Sequence, residues 1–338
     1  MRVNARSWSV WAAAAVAAVL GAVGCGGGPA SSPASPSKMT TVRLVLAWYP
    51  TPEYGGLYAG IQQGYFKQAG IDLQVTPGGP QVSSTQIVGS GKADIGYINN
   101  DGTLLLARQN GIPVKEFATT YQVYPEGVEY HKSNPISSFE EMNGRTVYAV
   151  TGSVDYQWLQ DKFHLQNKVL PYSYANFAHD PSSLLLGYVT DDVPTLAAQN
   201  VEIGYLKLAD AGRNPYADAL YGLESYVNSH RDVLRAFLGA LGKGWAYYRN
   251  HYHDVDVYMH TFNNADSVDV MDAIAKFQDD YIYTGDAATR GIGSIDAKRV
   301  EATYNDMKTI GAINATIDIK SFADTTLVPK VLPPPRQG

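Results

Sequence analysis

The stretch WYPTPEYGGLYAGIQQGYF, Trp48 to Phe66, decides the fold. It follows a short apolar run, residues 42–47, that reads together with Trp48 as a buried strand. Thr51 stands where a helix N-cap would, with Pro52 at the first helical position. Tyr54, Leu57, Tyr58 and Ile61 then recur at helical spacing, and Gly64 ends the helix. A strand that delivers Trp48 and Tyr49 to its own carboxyl end, beside a Gly-softened helix start, is a place to hold a flat ligand.

Working outward, strands are expected at 71–75, 93–98 and 114–121, with helices at 81–88 and 100–108 between them. Strands alternating with helices of this length indicate a mostly parallel sheet. Beyond Val123 a second α/β unit follows. Strands are expected at 128–131, 145–150, 172–175 and 201–207, and helical pieces at 137–143, 152–163 and 180–186. The chain is expected to cross back over 220–226. Ser229 then caps a long amphipathic helix carrying Val233, Phe237, Leu241 and Trp245 on one face, and helices follow at 267–283 and 296–310. The expected organisation is one lobe from 42–122 plus 222–338 and a second from 123–221.

The chain has 338 residues, 45% hydrophobic and 17% charged, enough for two cored lobes. A net charge of -6 argues against a nucleic-acid partner. Tyr outnumbers Phe by 24 to 9, and Tyr combines a flat face with a hydroxyl; half-buried scaffold accounts for most of them. Residues 1–24 read as a signal peptide, with Arg2 and Arg6 before an apolar run too short to span a bilayer comfortably. Small residues precede Cys25, the only cysteine, as in a bacterial lipobox, with Ala22 where that pattern usually has Leu. Cys25 is therefore the expected lipidation site; an ordinary signal peptide with an incidental cysteine is the alternative. Residues 25–41, rich in Gly, Pro, Ala and Ser, are expected to tether the fold to the extracytoplasmic face of the membrane.

Two α/β lobes behind such a leader resemble the solute-binding lipoproteins of ABC importers, in the branch that includes thiamine-precursor, sulfonate and nitrate binders. The resemblance rests on Leu46-Ala47-Trp48-Tyr49-Pro50, Gly56-Leu57-Tyr58, Gly64-Tyr65-Phe66 and Gly70-Ile71-Asp72-Leu73. It also rests on Gly91-Lys92-Ala93-Asp94-Ile95-Gly96 and on the segment from Ser138 to Arg145. It implies a two-lobed periplasmic-binding-protein-like (type II) fold with a ligand cleft between lobes, and ABC permease subunits as partners. Thiamine-precursor binders commonly show Asp-Trp at the end of the first strand, where this chain has Ala47. The related pyrimidine-making enzymes carry a cysteine-rich motif, and this chain has no cysteine after Cys25. The Tyr content makes the chain similar to the riboflavin-binding subunits of RibXY-type transporters.

In such a binder, ligand contacts come from strand ends and helix starts facing the cleft. Here those segments are 48–58, 99–103, 121–129, 151–156 and 188–195, and none contains Lys or Arg. Glu53, Asp101 and Asp155 would occupy helix N-terminal turns and repel an anion. The ligand-binding candidates are Trp48, Tyr49, Glu53, Tyr54, Asn99, Asn100, Asp101, Tyr121, Ser153, Tyr156, Asp191 and Asp192. Each has a bland alternative. One of Trp48 and Tyr49 is expected to be core, because strand side chains alternate. Asn100 and Ser153 can be helix caps alone. Asp191 and Asp192 can be a solvated turn, and Tyr121, Gln122 and Glu126 can serve only a hinge. His251, His253 and His260 read as surface residues rather than metal ligands. No cofactor, metal or catalytic set is expected. The expected function is capture of a neutral aromatic vitamin, riboflavin first, for import. The alternatives are a thiamine pyrimidine precursor (formylaminopyrimidine or hydroxymethylpyrimidine) and, from another class, a pyrimidine-synthesising enzyme on the same fold.

Overall fold

The computed structural model describes residues 39–337. The leader and Cys25 lie outside the described residues, as does the tether apart from residues 39–41. Ten strands form two sheets: β1 (Thr40–Val45), β2 (Ile71–Thr76), β3 (Ile95–Asn100), β4 (Val114–Tyr121), β5 (Glu126–His131), β6 (Thr146–Ala149), β7 (Lys168–Pro171), β8 (Leu184–Tyr188), β9 (Ile203–Lys207) and β10 (Ala217–Leu223). The first sheet has the order β2-β1-β3-β10-β4 and the second β7-β6-β8-β5-β9. Each is mixed. β10 runs antiparallel to β3 and β4, and β5 runs antiparallel to β8 and β9. Each crossing between lobes therefore feeds one reversed strand into the second-from-edge position of the sheet it enters. The remaining strand pairs are parallel, as the alternation of strands and helices requires.

The opening stretch folds differently in detail from its reading. β1 ends at Val45, and Trp48 follows in a bend. Thr51 makes no side-chain cap; a short 3-10 turn, Pro52–Tyr54, leads into the helix Gly55–Gln62. Gly64 closes the helix with φ of 72°, which a side chain would strain. Gly55 and Gly56 do not soften a ligand site. They let this helix lie against the long helix Arg231–Met259, where a Cβ on Gly56 would come within 2.2 Å of the buried Trp245 ring. The contact is reciprocal, since a Cβ on Gly244 would come within 2.0 Å of the Gly56 carbonyl.

Three expectations about the second lobe fail. Residues 172–175 are not a strand: β7 ends at Pro171, and the helix Tyr174–His179 begins after a Ser173 cap. Residues 180–186 are not a helix: Leu184, Leu185 and Leu186 are a short buried run in β8, a pattern whose periodicity alone does not separate strand from helix. The helix comes next, at Val189–Ala198. The return to the first sheet also precedes the expected boundary of 222, because β10 begins at Ala217. Ser229 ends the helix Glu224–Ser229 instead of capping the next, its hydroxyl donating to the Ser225 carbonyl at 2.7 Å. Many Tyr side chains are scaffold: Tyr54, Tyr97, Tyr121, Tyr124, Tyr216, Tyr221 and Tyr248 are fully buried. Among the described residues no helix is long and apolar enough to cross a membrane.

Candidate functional site

The carboxyl ends of β1, β3, β6 and β8 converge between the sheets, where open α/β sheets place ligands. Between them lies a half-open chamber of about 60 Å3. The first lobe contributes Trp48, Glu53 and Asn99 to its wall, and the second contributes Glu126, Tyr172, Tyr174, Tyr188, Asp191 and Asp192. The Trp48 and Tyr172 rings meet edge to face with centroids 6.2 Å apart, across the gap between lobes. Tyr172 packs on Tyr174 at 5.3 Å, and both hydroxyls donate to Asp192 Oδ1, the Tyr172 bond at 2.9 Å. Tyr188 reaches across the gap to donate to the Asn99 carbonyl.

Carboxyl groups dominate the chamber's polar surface. Glu53 Oε1, Asp191 Oδ1 and Asp192 Oδ2 have no hydrogen-bond partner among the described residues. Burial, with Asp218 and Asp191 nearby, pushes Glu53 well above the usual carboxylate range. Burial and the Asp192 charge push Asp191 up to about 8. Burial raises Asp192 to about 6, less far because the Tyr174 and Tyr172 hydroxyls donate to it and favour its anion. Glu126 is raised by burial and by Asp155 and Asp192. Among the described residues no Lys or Arg lines the chamber to offset these groups. Several therefore carry protons near neutral pH and present both donors and acceptors.

A second chamber of about 250 Å3 adjoins the first and shares Trp48, Asn99, Glu126 and Val150 with it. It lies between the starts of two helices, Asp101–Gln109 in the first lobe and Val154–Phe163 in the second. Asn100 and Ser153 cap them, accepting from Thr103 N at 3.0 Å and Tyr156 N at 3.2 Å. Asp155 at this chamber's edge is held from three sides. Arg213 Nε donates to it at 2.9 Å, Tyr124 Oη at 2.8 Å and Asn100 Nδ2 at 3.1 Å.

The expected site residues divide accordingly. Trp48, Glu53, Asn99, Asp191 and Asp192 line the first chamber, and Asn100 and Ser153 line the second. Tyr49 does not face the cleft: it is 47% exposed and packs beside Gly79. Neither Trp48 nor Tyr49 is core, because both follow the strand and escape its alternation. Tyr54 is fully buried against Tyr97 and accepts from the Trp48 amide at 3.0 Å. Asp101 is buried away from the chambers, near Arg299 and Arg213, and desolvation raises it to about 7. Tyr121 donates to Gln278 Oε1 at 2.8 Å inside the core, and Tyr156 to Asn167 in the second lobe. These four are placed by packing.

Tyr172 and Tyr174 were missed by sequence reasoning because their segment was read as a strand; Tyr188 begins the expected cleft segment 188–195 but was not among the named candidates. Asp218 was missed as well. It sits in β10 with φ of 48°, 1% exposed, with neither carboxylate oxygen paired among the described residues. A lone Asp within the apolar run ADALYGL was the available signal.

Comparison with known proteins agrees with this architecture. The chain is 22% identical over 315 residues to the riboflavin-binding protein RibY of Chloroflexus aurantiacus, covering 89% of each. It is 23% identical over 218 residues to the formylaminopyrimidine-binding protein of Halalkalibacterium halodurans, covering 61% of this chain and 66% of that one. A 4-amino-5-hydroxymethyl-2-methylpyrimidine phosphate synthase of Saccharomyces cerevisiae, THI12, is 30% identical over 107 residues, 31% of each chain. Among solved structures, the periplasmic aliphatic sulphonate binding protein SsuA of Escherichia coli superposes with a TM-score of 0.63 at 14% identity, over 88% of this chain and 94% of that one. The fold is thus that of the periplasmic binding proteins. Residues 51–254 match the family described as NMT1/THI5 like, and the chain belongs to that family.

Proposed function

We propose that this chain is the solute-binding subunit of an ABC importer, and that it captures a neutral aromatic vitamin, riboflavin first, for delivery to permease subunits. The observation that carries the reading is the interlobe chamber walled by Trp48, Tyr172, Tyr174 and Tyr188 and lined by carboxyl groups without a cation. Aromatic edges and faces suit a flat ring. Protonated and ionised carboxyls supply donors and acceptors for its polar edge. An anionic solute would meet Glu53, Asp191 and Asp192 with no Lys or Arg to balance it. The RibY relative supports the same ligand. Titration with riboflavin should quench flavin fluorescence at micromolar protein; absence of quenching overturns the vitamin assignment.

A second reading is a thiamine pyrimidine precursor. The unpaired oxygens of Glu53, Asp191 and Asp192 favour it, since they suit the N–H groups of an aminopyrimidine. Calorimetry with a formylaminopyrimidine beside riboflavin discriminates the two. The reading also includes export and anchoring through Cys25. Cys25→Ala should release the protein from membranes, and retention would refute the lipid anchor.

A further inference from the structure

We propose that the ligand is bipartite: the first chamber holds its flat ring, and the second holds a flexible, uncharged polyhydroxyl chain attached to it. This deepens the riboflavin reading and rests on it.

The argument begins with the shared wall. The two chambers adjoin along Trp48, Asn99, Glu126 and Val150, so a single ligand lying against these residues would touch both. Their linings differ in kind. Three Tyr rings and Trp48 wall the first. Among the described residues Trp48 is the only aromatic at the second, whose surface is otherwise small and mixed. Asn99, Thr103, Thr151 and Ser153 offer short polar groups, over a floor that includes Ala47 and Leu106. A second ring would find no stacking partner there except at the Trp48 edge. A chain of carbinol groups would find alternating polar and apolar contacts.

The charge of that chain is also constrained. The second chamber has no Lys or Arg in its lining. Arg213, the nearest buried cation to Asp155, is committed to it at 2.9 Å with its side chain fully buried. Glu126 belongs to both chambers and stands at their junction. A terminal phosphate would therefore enter a cavity with carboxyl groups at its wall and no cation in its lining among the described residues. The chain must end in neutral hydroxyls.

Three flavins test this with the whole protein: riboflavin, lumichrome (the bare ring) and flavin mononucleotide (the same chain ending in phosphate). The expected order is riboflavin at least tenfold tighter than either of the others. In Val82→Trp, an exposed position at the rim of the second chamber, riboflavin should weaken at least fivefold while lumichrome stays within twofold. Equal affinity of the wild-type protein for riboflavin and lumichrome overturns the bipartite site and leaves the vitamin reading intact. So does tighter binding of the mononucleotide. Binding of none of the three overturns the vitamin reading and this inference with it. The wild-type comparison stands even if the variant does not fold.

Discussion

Asp155, on the second lobe, meets Arg213, on the return crossing, at 2.9 Å, with side chains 5% and 0% exposed. Removing one charge from such a buried pair leaves the other uncompensated, at a cost of about 3–5 kcal/mol. Arg213→Met should therefore lower the urea midpoint sharply with little change in slope. Asp155→Asn/Arg213→Met should recover most of the loss, because the introduced amide carries no charge and its oxygen still accepts from Tyr124. A double variant no better than the single would contradict this account.

Stability should fall as pH rises from about 4 to about 8. Asp191 is raised to about 8 by burial and Asp192, whereas an unfolded Asp titrates near 3.9. The folded state binds the extra proton across that window, so raising pH favours the unfolded state. Glu53 and Asp218 are raised too, and add to the same slope. Asp191→Asn should flatten the dependence of thermal midpoint on pH over this range. A variant with the wild-type slope would show that Asp191 does not hold its proton.

Trp48 and Tyr49 are neighbours in sequence with different exposures, and ligand binding should separate them. Trp48→Ala should weaken riboflavin at least tenfold, equivalent to about 1.4 kcal/mol. Tyr49→Ala should change affinity less than twofold, since its ring is 47% exposed outside both chambers. Fluorescence titration of the two variants side by side is the measurement.

Gly244→Ala should destabilise the first lobe by about 1–3 kcal/mol through overpacking against Gly56. The intrinsic helix propensity of Ala pulls the other way by about 1 kcal/mol. A raised thermal midpoint would mean that the two helices separate at little cost.

Much of the first lobe was legible because its signals are local. Val114–Tyr121 is rich in the strand formers Val, Phe, Thr and Tyr, and Asn100, Ser267 and Asp296 cap the helices they precede. Sequence also brought Trp48, Glu53 and Asn99 to one cleft, since strand ends in such sheets face it. It failed where a residue's role depends on distant packing. Gly56 reads as a loosened helix start until Trp245, far along the chain, is seen against it. Tyr172 and Tyr174 flank a helix cap that looked like a strand, and Asp218 comes near the cleft carboxyls Glu53 and Asp191 only because β10 returns to the first sheet. No local pattern carries that information.

Arg299 donates from one side chain to carbonyls on both crossings. It reaches Gln122 on the outward one, and Asn214 at 2.8 Å and Pro215 at 2.7 Å on the return. Tyr124 N completes the tie by donating to Asn214 Oδ1 at 3.0 Å. The two connections are thus tied to one another, and a hinge motion at one would have to break these bonds or carry the other with it. In the proposed importer role, such a tie would make the span between the outer faces follow the closure of the cleft, and a docking permease could read the bound state as a length.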